Sequence, residues 1–441
     1  MSGPEPAALA IAPGSGFRPR GISFSLANAA QLLIALLAIL GVVMYVLRLF
    51  EWADRPEFAY PTATLMWMLA TVSTAPLLAY ATRMTRGYWS YPVRRIATLF
   101  AIPSVLGYAL LIPVLHSLPS LDGRASLWFE FRFGAPVITD ALALATMAFA
   151  GLGLLWVTSI PDLAANRSCR FLTVGWRGNP RQWRALKMFA KLLGAFYLMM
   201  LVYTTMILTT DLGQSLIPGW RSGIFPAYHV VTGFQTATAL VVLTAYLARR
   251  FCPEVRPYIG TEQAINLGRI FLAFTLLVFY FFWADFVLVW YARLPGEVAA
   301  MQVNIAEVYG IAFAIAGVCH FGIPFVCLIF NPLRRRFHLL ALVAVVALVG
   351  SFADRVRLFV PAISNTEVTG HGPLDPLPAA VWPALDDVLF IVGWIGLLAF
   401  AYIFSARWIP LLSGWEMREG ALYRDEVDYG RAKFLLLAKP D

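Results

Sequence analysis

The chain has 441 residues, of which 60% are hydrophobic and only 13% charged, with a formal net charge of +9 at pH 7. So few charges cannot cover a water-soluble domain of this length. A transmembrane β-barrel is excluded as well, because its signal is short alternating strands, not apolar runs of 20 or more residues. The basic excess does not indicate nucleic acid, since it falls in alternate loops, which is a topology signal.

Residues 1–26 are rich in Pro, Gly and Ala and lack the layout of a cleavable signal peptide, so they read as a flexible cytoplasmic tail. Ten apolar runs follow, with cores near 27–50, 62–84, 95–115, 136–158, 186–209, 226–248, 267–292, 305–330, 338–360 and 385–407. Their length predicts an all-α polytopic membrane protein of about ten transmembrane helices. The membrane domain covers 27–408, and 409–441 form a second cytoplasmic tail. Arginines cluster on one side: Arg83, Arg86, Arg94 and Arg95, then Arg167 to Arg184, then Arg249, Arg250 and Arg256, then Arg334 to Arg336. The intervening loops are neutral or acidic, which places the basic loops and both termini in the cytoplasm.

This orientation puts His116, Asp140, Asp211 and His229 near the outer, periplasmic end, together with Asp285, Glu297, Asp354, Asp386 and Asp387. Tolerated polar residues scattered at random would not gather at one face. The third run ends at Ile112-Pro113-Val114-Leu115-His116, and the fourth starts at Pro136 with Asp140 in its first turn. A His and a carboxylate thus sit at similar depth at facing ends of a helix hairpin. Ionisable groups in a membrane are costly and mark function by default. Histidine suits a proton acceptor near neutral pH, and a buried carboxylate can relay a second proton. Bland readings stand beside this one: His116 as a helix end facing water, and Asp140 as a partner for the helix dipole.

Asp285, Asp354, Glu307 and His320 are candidates for a proton path, and Asp285 lies furthest inside an apolar run. Cys169, Cys252, Cys319 and Cys327 show no paired spacing, so no zinc site or cluster is implied. The histidines His116, His229, His320, His338 and His371 offer no pair at matching depth for a haem. Any redox centre would therefore come from a partner. Trp and Tyr at helix ends, such as Trp220, Trp290 and Trp382, fit an interfacial belt.

Three motifs occur in order: Pro161-Asp162-Leu163-Ala164; Gly175-Trp176-Arg177-Gly178 with Arg181 and Trp183; and Asp211 with Trp220, Ser222, Ile224-Phe225-Pro226 and Tyr228. In these the chain resembles the NrfD, or polysulfide-reductase C-like, family over roughly 90–410. It is most similar to the quinol-oxidoreductase C subunit of alternative complex III, with features of the sister F subunit around Tyr280 to Glu297 and His320 to Asp354. The resemblance implies two four-helix bundles plus flanking helices in a bacterial inner membrane. It also implies quinol as bound substrate, with no intrinsic haem or iron–sulfur cluster. The partners it implies are a periplasmic iron–sulfur subunit, cytochrome c subunits and a paralogous membrane subunit. The family His and Asp that take quinol protons map onto His116 and Asp140, with Asp211, Tyr228 and His229 expected beside the substrate. The sequence departs from the family pattern at Ser117, Thr139, Thr205 and Arg221. Two other functions remain open: an F-like proton-conducting or structural subunit without a quinone site, and a secondary transporter.

Overall fold

The structure is a computed structural model that describes residues 28–50, 55–119, 135–165, 172–173, 175–365, 374–422, 424–429 and 432–437. Residues 1–26, and with them the expected flexible tail, lie outside the described residues, as do Arg167, Arg170, Cys169 and His371. Among the described residues, ten helices are long and apolar enough to cross a membrane. They are α1 (Ala29–Leu49), α2 (Ala59–Met84), α3 (Tyr88–His116), α4 (Val137–Ala164) and α5 (Pro180–Leu216), then α6 (Phe225–Phe251), α7 (Thr261–Ala292), α8 (Gly310–Ile329), α9 (Phe337–Ser364) and α10 (Leu385–Trp408). Each of the ten expected runs is recovered.

Helices α2 to α5 pack as one four-helix bundle and α6 to α9 as another, while α1 and α10 lie along each other at the flank. Helix α2 has an 18-residue stretch that is wholly buried, because it also meets α6 and α9 of the second bundle. Helix α7 is mostly exposed and presents Leu276, Tyr280, Trp283 and Leu288 outward, as expected of a lipid-facing wall. The flanking pair is close because Gly41 and Gly393 face each other: a Cβ on Gly41 would overlap the Gly393 carbonyl. Small residues permit this approach, which gains dispersion contacts that lipid cannot offer. Arg48, buried near the end of α1, pins the pair by bonds of 2.7 Å to Asp386 and 2.6 Å to Asp387. These two carboxylates thus have a structural partner.

Polar residues inside the bundles satisfy themselves locally, as hydrocarbon requires. Thr62, Thr64 and Thr71 each donate to the carbonyl one turn back. Helix α2 breaks around Val72–Thr74, and the carbonyls freed there take hydrogen bonds from Tyr197 on α5 and Thr236 on α6.

The segment 409–441, expected as a tail, contains the helix α11 (Gly414–Leu422) and an antiparallel pair of strands, β1 (Arg424–Tyr429) and β2 (Ala432–Leu437). Glu416 is buried and bonded to Arg83 at 2.6 Å, with Arg94 at 3.6 Å. Asp162, from the first motif, accepts from Arg95 (3.0 Å) and from the Gly414 amide (3.0 Å). Trp183, from the second motif, packs on Trp415. The first two motifs therefore build the seat for α11.

Candidate functional site

Helix α9 carries Asp354, Arg355 and Arg357 within an otherwise apolar run, all at most 4% exposed. A charge at a helix centre costs roughly 2.5–3.5 kcal/mol on insertion scales, so three within one turn need compensation. Asp354 supplies it. Its Oδ2 accepts from Arg355 (3.0 Å), and its Oδ1 from Arg357 Nε (3.0 Å), Arg357 Nη2 (2.7 Å) and the Tyr228 hydroxyl (3.1 Å). Arg355 also reaches α6, bonding Thr232 and His229 Nδ1 at 2.5 Å each. Arginine only donates, so His229 Nδ1 accepts and the ring's proton sits on Nε2. A second proton on Nδ1 would break that bond and set two cations together. His229 is thereby held as a neutral ring, edge-on to Phe225.

One turn back on α9, Gly350 lets α8 approach so closely that a Cβ would overlap the His320 amide. His320 lies in the π-helical segment Ala316–Gly322, and its backbone carbonyl takes the Gln235 amide at 2.8 Å. Such wide turns recur at functional sites. The ring is buried, within electrostatic reach of Asp354, and its Nε2 has no hydrogen bond among the described residues. His320, expected on a proton path, thus adjoins the charge cluster.

Next to the cluster lies a cavity bounded by α6, α7, α9 and the short helix Pro295–Met301 with its π-turn Gln302–Ala306. Its polar lining is Tyr228, Asp285, Glu297, Asn304 and Arg357, and its walls include Trp220 and Phe282. Ser222, from the third motif, donates to Asp285 Oδ1. Arg357 gives both Nε and Nη2 to Asp354. Asn304 Oδ1 is buried and lacks a hydrogen-bond partner among the described residues. The cavity volume is about 50 Å³. At about 10–15 Å³ per water, this holds roughly three to five waters. Glu297, which caps the cavity outside the spans, has its pKa raised by burial and by Asp285, against Arg221. Protonatable groups, unpartnered polar atoms and room for water are what a proton-transfer chain requires.

The expected quinol pair lies in the first bundle. His116 closes α3 and is exposed, whereas Asp140, in the first turn of α4, is wholly buried. Both belong to helices of the first bundle, and the charge cluster to the second. Asp211 is buried at the end of α5, where Ser215 bonds its carbonyl at 2.9 Å. Tyr228 and His229, expected beside a substrate, bond to Asp354 and Arg355. Glu307 is exposed and accepts from Gln302 at 3.3 Å, outside the cluster. Sequence reasoning missed Arg355, Arg357 and Asn304, and named Ser222 only within a motif. The signal for the arginines was present, because Asp354-Arg355-Val356-Arg357 interrupts a long apolar run. Nothing in the sequence marks Asn304.

The described structure defines a class: a ten-span membrane protein whose spans are all helical, with a buried ionisable network in its second bundle. No protein-family model matches the chain, and no curated protein matches it. Among the described residues, no group of three or more His, Cys, Asp or Glu could hold a metal ion.

Proposed function

We propose that this chain is a quinol-binding, proton-handling membrane subunit of a respiratory oxidoreductase of the alternative complex III type. It would lie in a bacterial inner membrane with both termini cytoplasmic. The observation that carries the reading is the polar line through the second bundle. Glu297, Asp285, Asn304 and Arg357 line one cavity, and Arg357 leads to Asp354 beside His320. A scaffold has no need of such a line, and its charges are costly in lipid. The motif resemblance supports the rest. Quinol gives two protons to His116 and Asp140 in the first bundle, and its electrons pass to a peripheral iron–sulfur partner, with cytochrome c subunits beyond. The basic loops support the stated orientation.

The second reading is a proton-conducting subunit with no quinone site of its own. It is favoured by one fact: the polar line uses only α6 to α9 and asks nothing of His116 or Asp140. The test is quinol turnover and proton release by the complex purified with its native partners. General acid–base groups contribute about 10²–10⁴-fold. His116→Ala and Asp140→Asn are thus expected to lower turnover by about 10²-fold or more, and Asp285→Asn to slow proton movement while quinol still binds. Unchanged turnover in both first-bundle variants would remove the quinol site and leave the second reading. Unchanged proton movement in Asp285→Asn and Asp354→Asn would remove the proton route.

A further inference from the structure

At the end that carries the basic loops, the α6–α7 and α8–α9 connections meet around a second cavity of about 350 Å³. Arg249, Arg335 and His338 line it, and no carboxylate does. Tyr246 and Phe337, 5.9 Å apart, form its wall. Arg249 is fixed by a bond from Nη1 to the Ile259 carbonyl, which holds its guanidinium at the mouth.

Two long helices begin at this cavity. Helix α7 starts at Thr261 with the Gly260 N–H bonded to Gln263 Oε1 at 2.8 Å and with Glu262 in its first turn, whereas α9 starts at Phe337 behind Arg336, which makes no side-chain capping bond. The first N–H groups of a helix need acceptors and favour negative charge. Two guanidinium groups and the uncapped start of α9 around one cavity call for an anionic oxygen cluster. The surroundings choose its carrier. Leu247, Phe251, Phe330 and Leu342 are exposed on the neighbouring helices, a surface suited to acyl chains.

We propose that this cavity binds the phosphate headgroup of an anionic phospholipid, its acyl chains lying on α6 and α9. The site is independent of the quinol and proton reading. It ties together the α6–α7 and α8–α9 connections. The lipid thus acts as a clamp on the basic-loop end of the second bundle.

The test uses the full-length protein in detergent, with phosphatidylglycerol, phosphatidylcholine or inorganic phosphate added, read by native mass spectrometry and by thermal unfolding. Retention of phosphatidylglycerol over phosphatidylcholine is expected, with a matching rise in Tm. Arg335→Gln should weaken this preference about fivefold, the effect of one basic residue near an anionic headgroup. Arg336→Gln, whose side chain does not line the cavity, should leave it unchanged, and both variants should melt alike in phosphatidylcholine. Equal binding of the two lipids, or the same loss in both variants, would overturn the proposal. Full stabilisation by inorganic phosphate alone would replace the lipid by a free anion and overturn it too.

Discussion

Asp354 shows why a buried charge in this molecule must be read with all its neighbours. It is the one acceptor common to Arg355, Arg357 and Tyr228, so its removal strands two guanidinium groups away from water. Breaking a buried pair from one side costs roughly 3–5 kcal/mol in soluble proteins. Asp354→Ala is expected to lose at least that, seen as a large drop in Tm or in folded yield from detergent extracts. Asp354→Asn keeps an acceptor oxygen and should lose less; equal losses would show that the charge is not what holds the cluster. The candidate proton groups were legible in part. Asp285 and Asp354 stand out in a sequence because ionisable residues in apolar runs are rare. Their link through Arg357 and a common cavity was not legible, because it joins residues about seventy positions apart on different helices. His229 was legible as polar but not in its role, since only the contact with Arg355 fixes which ring nitrogen holds the proton.

Among the elements, α11 makes the clearest prediction. Glu416 is fully buried, which alone would raise its pKa, yet Arg83 and Arg94 hold it below the ordinary carboxylate value. A group with a lowered folded pKa stabilises the fold above its unfolded value, 4.5, and that contribution disappears as pH falls through the folded pKa. The α11 seat is therefore expected to be firm at neutral pH and to loosen only below about pH 4.5. Proteolysis after the last span, followed across pH, checks this. Glu416→Ala should loosen the seat at every pH, and a variant that stays protected at pH 7 would show that the aromatic contact of Trp183 with Trp415 suffices. Helices α1 and α10 give a second case. Gly393→Val puts a branched side chain where two backbones touch, and overpacking costs about 1–3 kcal/mol. The expected result is a lower Tm, with the second bundle unaffected because neither helix belongs to it.

Over the whole molecule, the prediction concerns sidedness. With the native cysteines replaced, a cysteine at Pro257 or Arg336 should react with an impermeant maleimide only from the cytoplasmic side, and one at Arg293 or Val381 only from the periplasmic side. The reverse pattern would invert the orientation and every statement of depth with it. The sequence by itself determined the ten spans, their order and the asymmetry of the loops. Those depend on run length and on charge, and hydrocarbon forces each run to satisfy its backbone within a helix. The tertiary structure alone decided which polar residues meet. Inside a membrane the apolar signal is nearly uniform around each helix and says little about which face turns inward. Close approaches at glycines such as Gly41 and Gly350, and pairings such as Arg357 with Asp354, set that rotation. They bring the charges of α9 onto a cavity at α7, while His116 and Asp140 remain in the other bundle.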